Sequence, residues 1–249
     1  MRSLAEVEKV QTLVGLGLSD RFVSKLTGIS RATIREWRRA GFERRSRNLR
    51  SPDPDCPSCA GAQVDGPAYA YLLGLYLGDG CISLHRRGVY RLRITLDQRY
   101  PGILQECAQA ILKARPSAPM KVGSVGKIGC VDIGAYWKHW PCLFPQHGPG
   151  RKHERRIELL PWQVDIVNEH PDQLLRGLIH SDGYRGLNYV KGKGYPRYQF
   201  CNHSKDIRVI FCRACDEYGV AWRQSYWKTI SISRSADVAK LDLVVGPKT

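Results

Sequence analysis

A helix that ends in Asp-Gly occurs twice in this chain of 249 residues, and the pattern that follows it occurs twice as well. The first copy reads Tyr71-Leu72-Leu73-Gly74-Leu75-Tyr76-Leu77-Gly78-Asp79-Gly80. The second reads Leu174-Leu175-Arg176-Gly177-Leu178-Ile179-His180-Ser181-Asp182-Gly183, with its Asp 103 positions later. After the first, Tyr90 to Asp97 alternates apolar and polar residues, as a half-buried strand does. After the second, Pro196 to Asn202 does the same. A helix follows each strand, over 103–113 and 206–218, and a hairpin follows each helix, over 120–133 and 220–233. Each copy therefore predicts helix, two strands, helix, two strands and a final helix. A duplicated unit must bury the same apolar face twice, so the two copies are expected to pack against each other.

The helices show how. Ala70, Gly74 and Gly78 lie four apart on one face, and Gly177 and Ser181 do likewise. Small residues at this spacing let two helix backbones approach closely. Such a pair brings two helix C-termini together, each carrying an Asp. The helix ends are themselves partly negative. Two carboxylates held close repel, and one pKa rises. A hard divalent cation resolves the conflict, and Mg²⁺ suits one or two carboxylates plus phosphate oxygens and water. A metal held there could activate water for phosphodiester cleavage.

These two helix-Asp-Gly segments resemble the paired motifs of the LAGLIDADG homing endonucleases, and the order of strands and helices after each one also fits. The resemblance covers roughly residues 67–249. It implies an α+β fold of two pseudo-symmetric αββαββα repeats with saddle-like antiparallel sheets, in a monomeric pseudo-dimer that binds double-stranded DNA. It places metal-binding acids at Asp79 and Asp182, holding Mg²⁺. The sixth motif position departs from the family name, with Leu77 in one copy and His180 in the other. The family also uses a basic residue after each repeat. Gly148-Pro149-Gly150-Arg151-Lys152 and Gly246-Pro247-Lys248 share a Gly-Pro followed by Lys, which marks Lys152 and Lys248 for charge stabilisation. Gln98 and Ser204, at matching positions after the strands, are expected to order water. DNA would meet the open sheet faces. Arg91, Arg93 and Thr95 share the face opposite Leu92, Ile94 and Leu96, with Arg197 and Gln199 as their counterparts. Arg pairs bidentately with guanine and Gln with adenine. Lys191 and Lys193 add phosphate contacts, as do Arg86 and Arg87, and Lys228 extends the basic face with Arg223 and Gln224.

Residues 1–47 read as three short helices. Val7, Val10, Leu13 and Val14 recur at helical spacing. Ser19 caps a second helix that ends at Gly28, and Ser30 caps a third with Ile34 and Trp37 on its buried side. The stretch resembles the helix-turn-helix DNA-binding domains of resolvases and transposases. That resemblance implies an all-α domain in which Ser30, Arg31, Thr33 and Arg35 reach base edges. A Pro-, Ser- and charge-rich segment over 48–66 reads as a linker. The repeats then occupy 67–156 and 157–249.

Charge supports a polyanionic partner. Lys and Arg number 39 against 23 Asp and Glu, a net charge of +16. Both regions share it, with +7 over residues 1–50 and +9 over the rest. No apolar run suits a membrane span. The first residues carry carboxylates where an export signal needs an apolar stretch, so a cytoplasmic, nucleoid-associated protein is expected. Nine cysteines in such a compartment predict no disulfide framework. Two Cys-x-x-Cys pairs stand apart from the single cysteines: Cys56/Cys59 and Cys212/Cys215. The first looks like a zinc knuckle and is a candidate for structural Zn²⁺, although no second pair follows nearby. Two functions remain open: a Mg²⁺-dependent DNA endonuclease, and a non-cleaving transcription regulator on the same scaffold.

Overall fold

The computed structural model describes residues 4–42, 53–115, 120–246 and 248. Of these, the residues up to Asp53 together with Arg86–Gly88 fall in one compact unit, and those from Pro54 to His85 and from Val89 onward in a second. The first residues of the expected linker, over 48–52, lie outside the described residues, as do residues 43–47 before it.

The first unit holds α1 (Leu4–Gly15), α2 (Asp20–Thr27) and α3 (Arg31–Ala40). Ser19 caps α2 through the Phe22 amide, and Ser30 caps α3 through the Thr33 amide, each satisfying a donor that the helix leaves unpaired. Gly28 sits at φ 67° and stops α2 in the left-handed conformation that glycine adopts most readily. Val7, Val10, Val23, Ile29, Ile34 and Trp37 form the small core.

The second unit begins earlier than its sequence suggests. Residues 54–66 do not form a free tether: Asp55 and Cys56 are buried, and a one-turn helix α4 spans Pro57–Ala60. Then comes α5 (Gly66–Asp79), capped by Asp65. From Tyr69 to Leu77 every residue of α5 is buried, as befits a helix apolar on all sides. The first sheet is built from β1 (Gly80–Leu84), β2 (Tyr90–Asp97), β3 (Gly123–Lys127) and β4 (Cys130–Trp137), with α6 (Pro101–Lys113) between its hairpins. A one-turn α7 (Trp140–Leu143) closes this repeat, and the last helix of the second repeat is longer. An additional helix, α8 (Pro161–Glu169), precedes α9 (Pro171–Asp182) and has no counterpart in the expected pattern. The second sheet holds β5 (Gly183–Val190), β6 (Lys193–Cys201), β7 (Arg223–Tyr226) and β8 (Thr229–Ile232), with α10 (Lys205–Tyr218) between hairpins and α11 (Ser235–Val245) at the end.

Both sheets are antiparallel and share one order, β1-β2-β4-β3 and β5-β6-β8-β7. In β2 the buried residues are Leu92, Ile94 and Leu96, and in β6 they are Tyr198 and Phe200. Helices cover that side, which leaves Arg91, Arg93, Thr95, Arg197 and Gln199 on the other. Lys191 and Gly192 both take positive φ, the geometry of the primed two-residue turns that match strand twist. At the centre α5 packs on α9. A Cβ on Gly74 would fall 2.7 Å from the Leu174 carbonyl oxygen and from the Leu178 amide, so only glycine allows this approach. Gly177 meets Gly74 and Leu75 in the same way. Among the described residues no helix is long and apolar enough to cross a membrane.

Candidate acid-lysine site at the helix junction

The packed pair delivers Asp79 and Asp182 to one end of the bundle, each one residue before a sheet begins. Two small cavities of about 240 Å³ each open there. Leu77, Gly78, Lys152, Asp182, Asn202 and His203 line one. Asp79, Leu96, Asp97, Tyr100, His180 and Lys248 are among those lining the other. Each cavity therefore joins the acid of one repeat to the lysine of the other.

The Asp79 carboxyl is pushed up to about 6, first by burial and then by the Asp182 charge, while Lys152 and Lys248 pull the other way. Part of the Asp79 side chain still meets solvent, so the shift describes a crowded site with an open side. Burial also raises Asp182, countered by a 2.6 Å hydrogen bond from Asn202 Nδ2 to Oδ2. Among the described residues no donor hydrogen-bonds to the Asp79 carboxylate. Two carboxylates brought together, with oxygens that accept no hydrogen bond on Asp79, suit a hard divalent cation.

The lysines close the helix ends. Lys152 Nζ donates to the carbonyls of Leu77 and Gly78, both at 2.9 Å, and to that of Tyr76. Helix C-termini leave such carbonyls unpaired and carry partial negative charge. All three ammonium donors are thereby engaged, and what Lys152 offers beyond these carbonyls is its charge. Burial lowers it to about 8 despite Asp182 and Asp79. Lys248 donates to the carbonyls of His180 at 3.3 Å and Gly183 at 2.8 Å, which leaves one donor for an incoming anion. Burial lowers it as well.

Two sequence expectations move. Gln98 is exposed in the turn after β2 and lines neither cavity. Its counterpart Ser204 is buried as the N-cap of α10, accepting from the Ile207 amide. The polar groups at the site are instead Asn202 and His203 in one cavity and Asp97 in the other. Repeat comparison hides them, because the strand registers make Asn202 the counterpart of Leu96 and His203 that of Asp97.

The open faces are basic and aromatic. Arg91 lies over the Tyr136 ring, 5.9 Å from its centroid. Thr95 donates a 2.7 Å hydrogen bond to the buried Asp132, which also holds Lys127 at 2.6 Å and approaches Arg93 at 3.9 Å. Thr95 thus spends its donor inside the sheet. Arg197 Nε is buried without a hydrogen-bond partner, beside Arg223, Arg234 and Trp222 in a cavity of about 430 Å³. Gln199 pairs in register with Tyr184 and Ser231. Lys193 lies 5.5 Å from the Tyr195 ring centroid, near the turn carrying Lys191. Lys228 contacts His203 at 3.3 Å, at the rim of the Asp182 cavity. Tyr136, Tyr184, Tyr226 and Trp227 are exposed, an aromatic contribution that alternation alone did not single out.

In the first unit the hydroxyls of Ser30 and Thr33 are 2.8 Å apart and hold each other at the start of α3. Arg31 and Arg35 are exposed, and Arg35 reaches Asp20 at 3.5 Å. Cys212 and Cys215 are buried in the α10 core and are not partners for Cys56 and Cys59.

No protein-family model matches the sequence, and no curated protein matches it. Solved structures do. The homing endonuclease I-DmoI in complex with DNA and Mn is 15% identical, with a TM-score of 0.48 over 74% of this chain and 99% of that one. I-WcaI bound to its DNA recognition sequence is 13% identical, with a TM-score of 0.46 over 75% and 84%. The N-terminal LAGLIDADG domain of DUF199/WhiA is 12% identical, with a TM-score of 0.43 over 74% and 83%.

Proposed function

We propose that this chain is a sequence-specific double-stranded DNA-binding protein of LAGLIDADG type that hydrolyses phosphodiester bonds with a divalent cation, Mg²⁺ by preference. The observation that carries the reading is the pair of cavities, each joining an acid from one repeat to a lysine from the other, at the foot of two sheets with basic open faces. Asp79 and Asp182 would hold the cation, which when bound supplies Lewis acidity and an activated water.

The remaining roles belong to the chain itself. Asn202 fixes one oxygen of Asp182 and leaves the other to turn inward. Lys152 and Lys248 hold positive charge where charge develops on the phosphate, and Lys248 has a donor left to give. His203 and Asp97 line the cavities with groups able to orient water. Arg91, Arg93, Arg197 and Gln199 present donors to base edges, while Lys191, Lys193 and Lys228 contact phosphates. The three N-terminal helices act as a helix-turn-helix, with Arg31 and Arg35 on its recognition helix.

The test selects bound fragments from genomic DNA and incubates them with Mg²⁺. The wild type should cleave. Asp79→Asn and Asp182→Asn should each abolish cleavage and retain binding. Binding with no cleavage by the wild type would favour the non-cleaving regulator, and cleavage that survives both substitutions would sink the assigned acids.

A further inference from the structure

Four side chains that line neither acid-lysine cavity converge in the second unit. Cys56 and Cys59 flank the first turn of α4, and His139 and Cys142 flank that of α7. The two turns are built alike. In each the first ligand residue is the N-cap, a proline follows within two positions, and the second ligand comes three residues on. The amide of Cys142 returns to the His139 carbonyl at 2.9 Å, and Gly61, at φ 64°, closes the cysteine turn.

One ligand atom from each residue lies within 4.8 Å of all the others. The same ring nitrogen of His139, Nδ1, approaches Cys59 Sγ at 3.3 Å and Cys142 Sγ at 3.8 Å. Zn–S bonds near 2.3 Å and Zn–N bonds near 2.0–2.1 Å give tetrahedron edges of about 3.6 Å between nitrogen and sulfur and about 3.8 Å between sulfurs. The His139 approaches bracket the first value. Three sulfurs and one nitrogen complete a closed tetrahedral set with no position left for water, which is the composition of structural rather than catalytic zinc.

We propose that Cys56, Cys59, His139 and Cys142 bind one structural Zn²⁺. The ion would clasp the first residues of the second unit to the segment that follows β4, joining Cys59 to a histidine 80 residues away. Cys56 is fully buried and Trp140, between the two ligands of α7, is buried beside it in the same core, so the clasp has a packed floor. The sequence displayed only half of this site. His139 and Cys142 carry no Cys-x-x-Cys signature, and only the fold brings them to the first pair.

Metal analysis of the full chain, purified under reducing conditions without chelator, tests it. One zinc per chain is expected, released when the thiols are capped with an organomercurial and read with a chromogenic chelator. Cys142→Ser and His139→Ala should lose that zinc. His139→Cys should keep it, because four thiolates close the same tetrahedron, and Cys212→Ala should keep it too. Cobalt(II) loaded into the wild type should show the d–d absorption of tetrahedral thiolate coordination, so the proposal stays testable if a ligand variant fails to fold. A metal-free folded protein with nine titratable thiols, a Cys56–Cys59 disulfide by mass, or zinc that persists in the His139→Ala and Cys142→Ser variants would overturn it. None of these outcomes depends on DNA cleavage.

Discussion

His180 lies two residues before Asp182 and is buried, and its surroundings show what holds it. Its Nδ1 lies 3.0 Å from the Tyr71 hydroxyl and its Nε2 lies 3.1 Å from the Val245 carbonyl. A carbonyl only accepts, so Nε2 carries the proton and Nδ1 accepts from tyrosine. Both nitrogens are then satisfied in the neutral ring, which ties α9 to α5 and α11. Burial, and secondarily Arg176, lowers His180 to about 4. The free histidine value is higher, so the unfolded chain binds the proton first as pH falls. This contribution is therefore complete above about pH 6.5 and is lost on descent towards pH 4, amounting to about 3 kcal/mol. Urea melts across that range should show His180→Phe less stable than wild type at neutral pH, with the gap closing in acid. A gap that stays constant would show that the ring's protonation does not matter to the fold. The residue type was visible in the sequence, but its role was not, because Tyr71 and Val245 are remote in the chain.

The element that organises the fold is the α5–α9 pair, and it was legible in advance. Glycines spaced by four on an apolar helix have few explanations other than close packing, and the structure puts Gly74 against Gly177. Gly177→Ala would drive a Cβ into the Tyr71 carbonyl oxygen and set it 3.0 Å from Gly74 Cα and 3.1 Å from the Leu75 amide nitrogen, all backbone atoms that cannot step aside alone. The expected cost is about 1–3 kcal/mol from overpacking, against a gain of up to about 1 kcal/mol from better helix propensity. A lower denaturation midpoint with unchanged slope should result, and a rise would mean that the helices sit further apart. Strand alternation was legible for the same reason, since one face of each sheet is buried. Helix α8 was not: its nine residues carry a weak apolar pattern between two prolines. Nor were Asn202, His203 and Asp97, because the duplication that exposes the acids makes unlike residues correspond. Pairing across the repeats depends on packing that no local pattern encodes.

At the scale of the whole molecule, charge is the readable quantity. The excess of +16 is spread over both units, so DNA affinity should fall steeply with salt. Replacing both Arg31 and Arg35 by Ala should weaken binding across sequences and flatten the plot of log affinity against log salt by about one for each phosphate that is no longer neutralised. Cleavage at saturating protein should persist, since the acid-lysine cavities lie in the second unit. An unchanged slope would remove α3 from the interface. Those cavities are crossed between the repeats, which ties their assembly to having both. A chain bearing a single repeat owns an acid and a lysine that face different partners, so it completes neither cavity. A protein of that size would need a second copy of itself to assemble either one. In one chain that partnership is permanent, and the two cavities need not be alike: Asn202 and His203 stand on one side where Leu96 and Asp97 stand on the other.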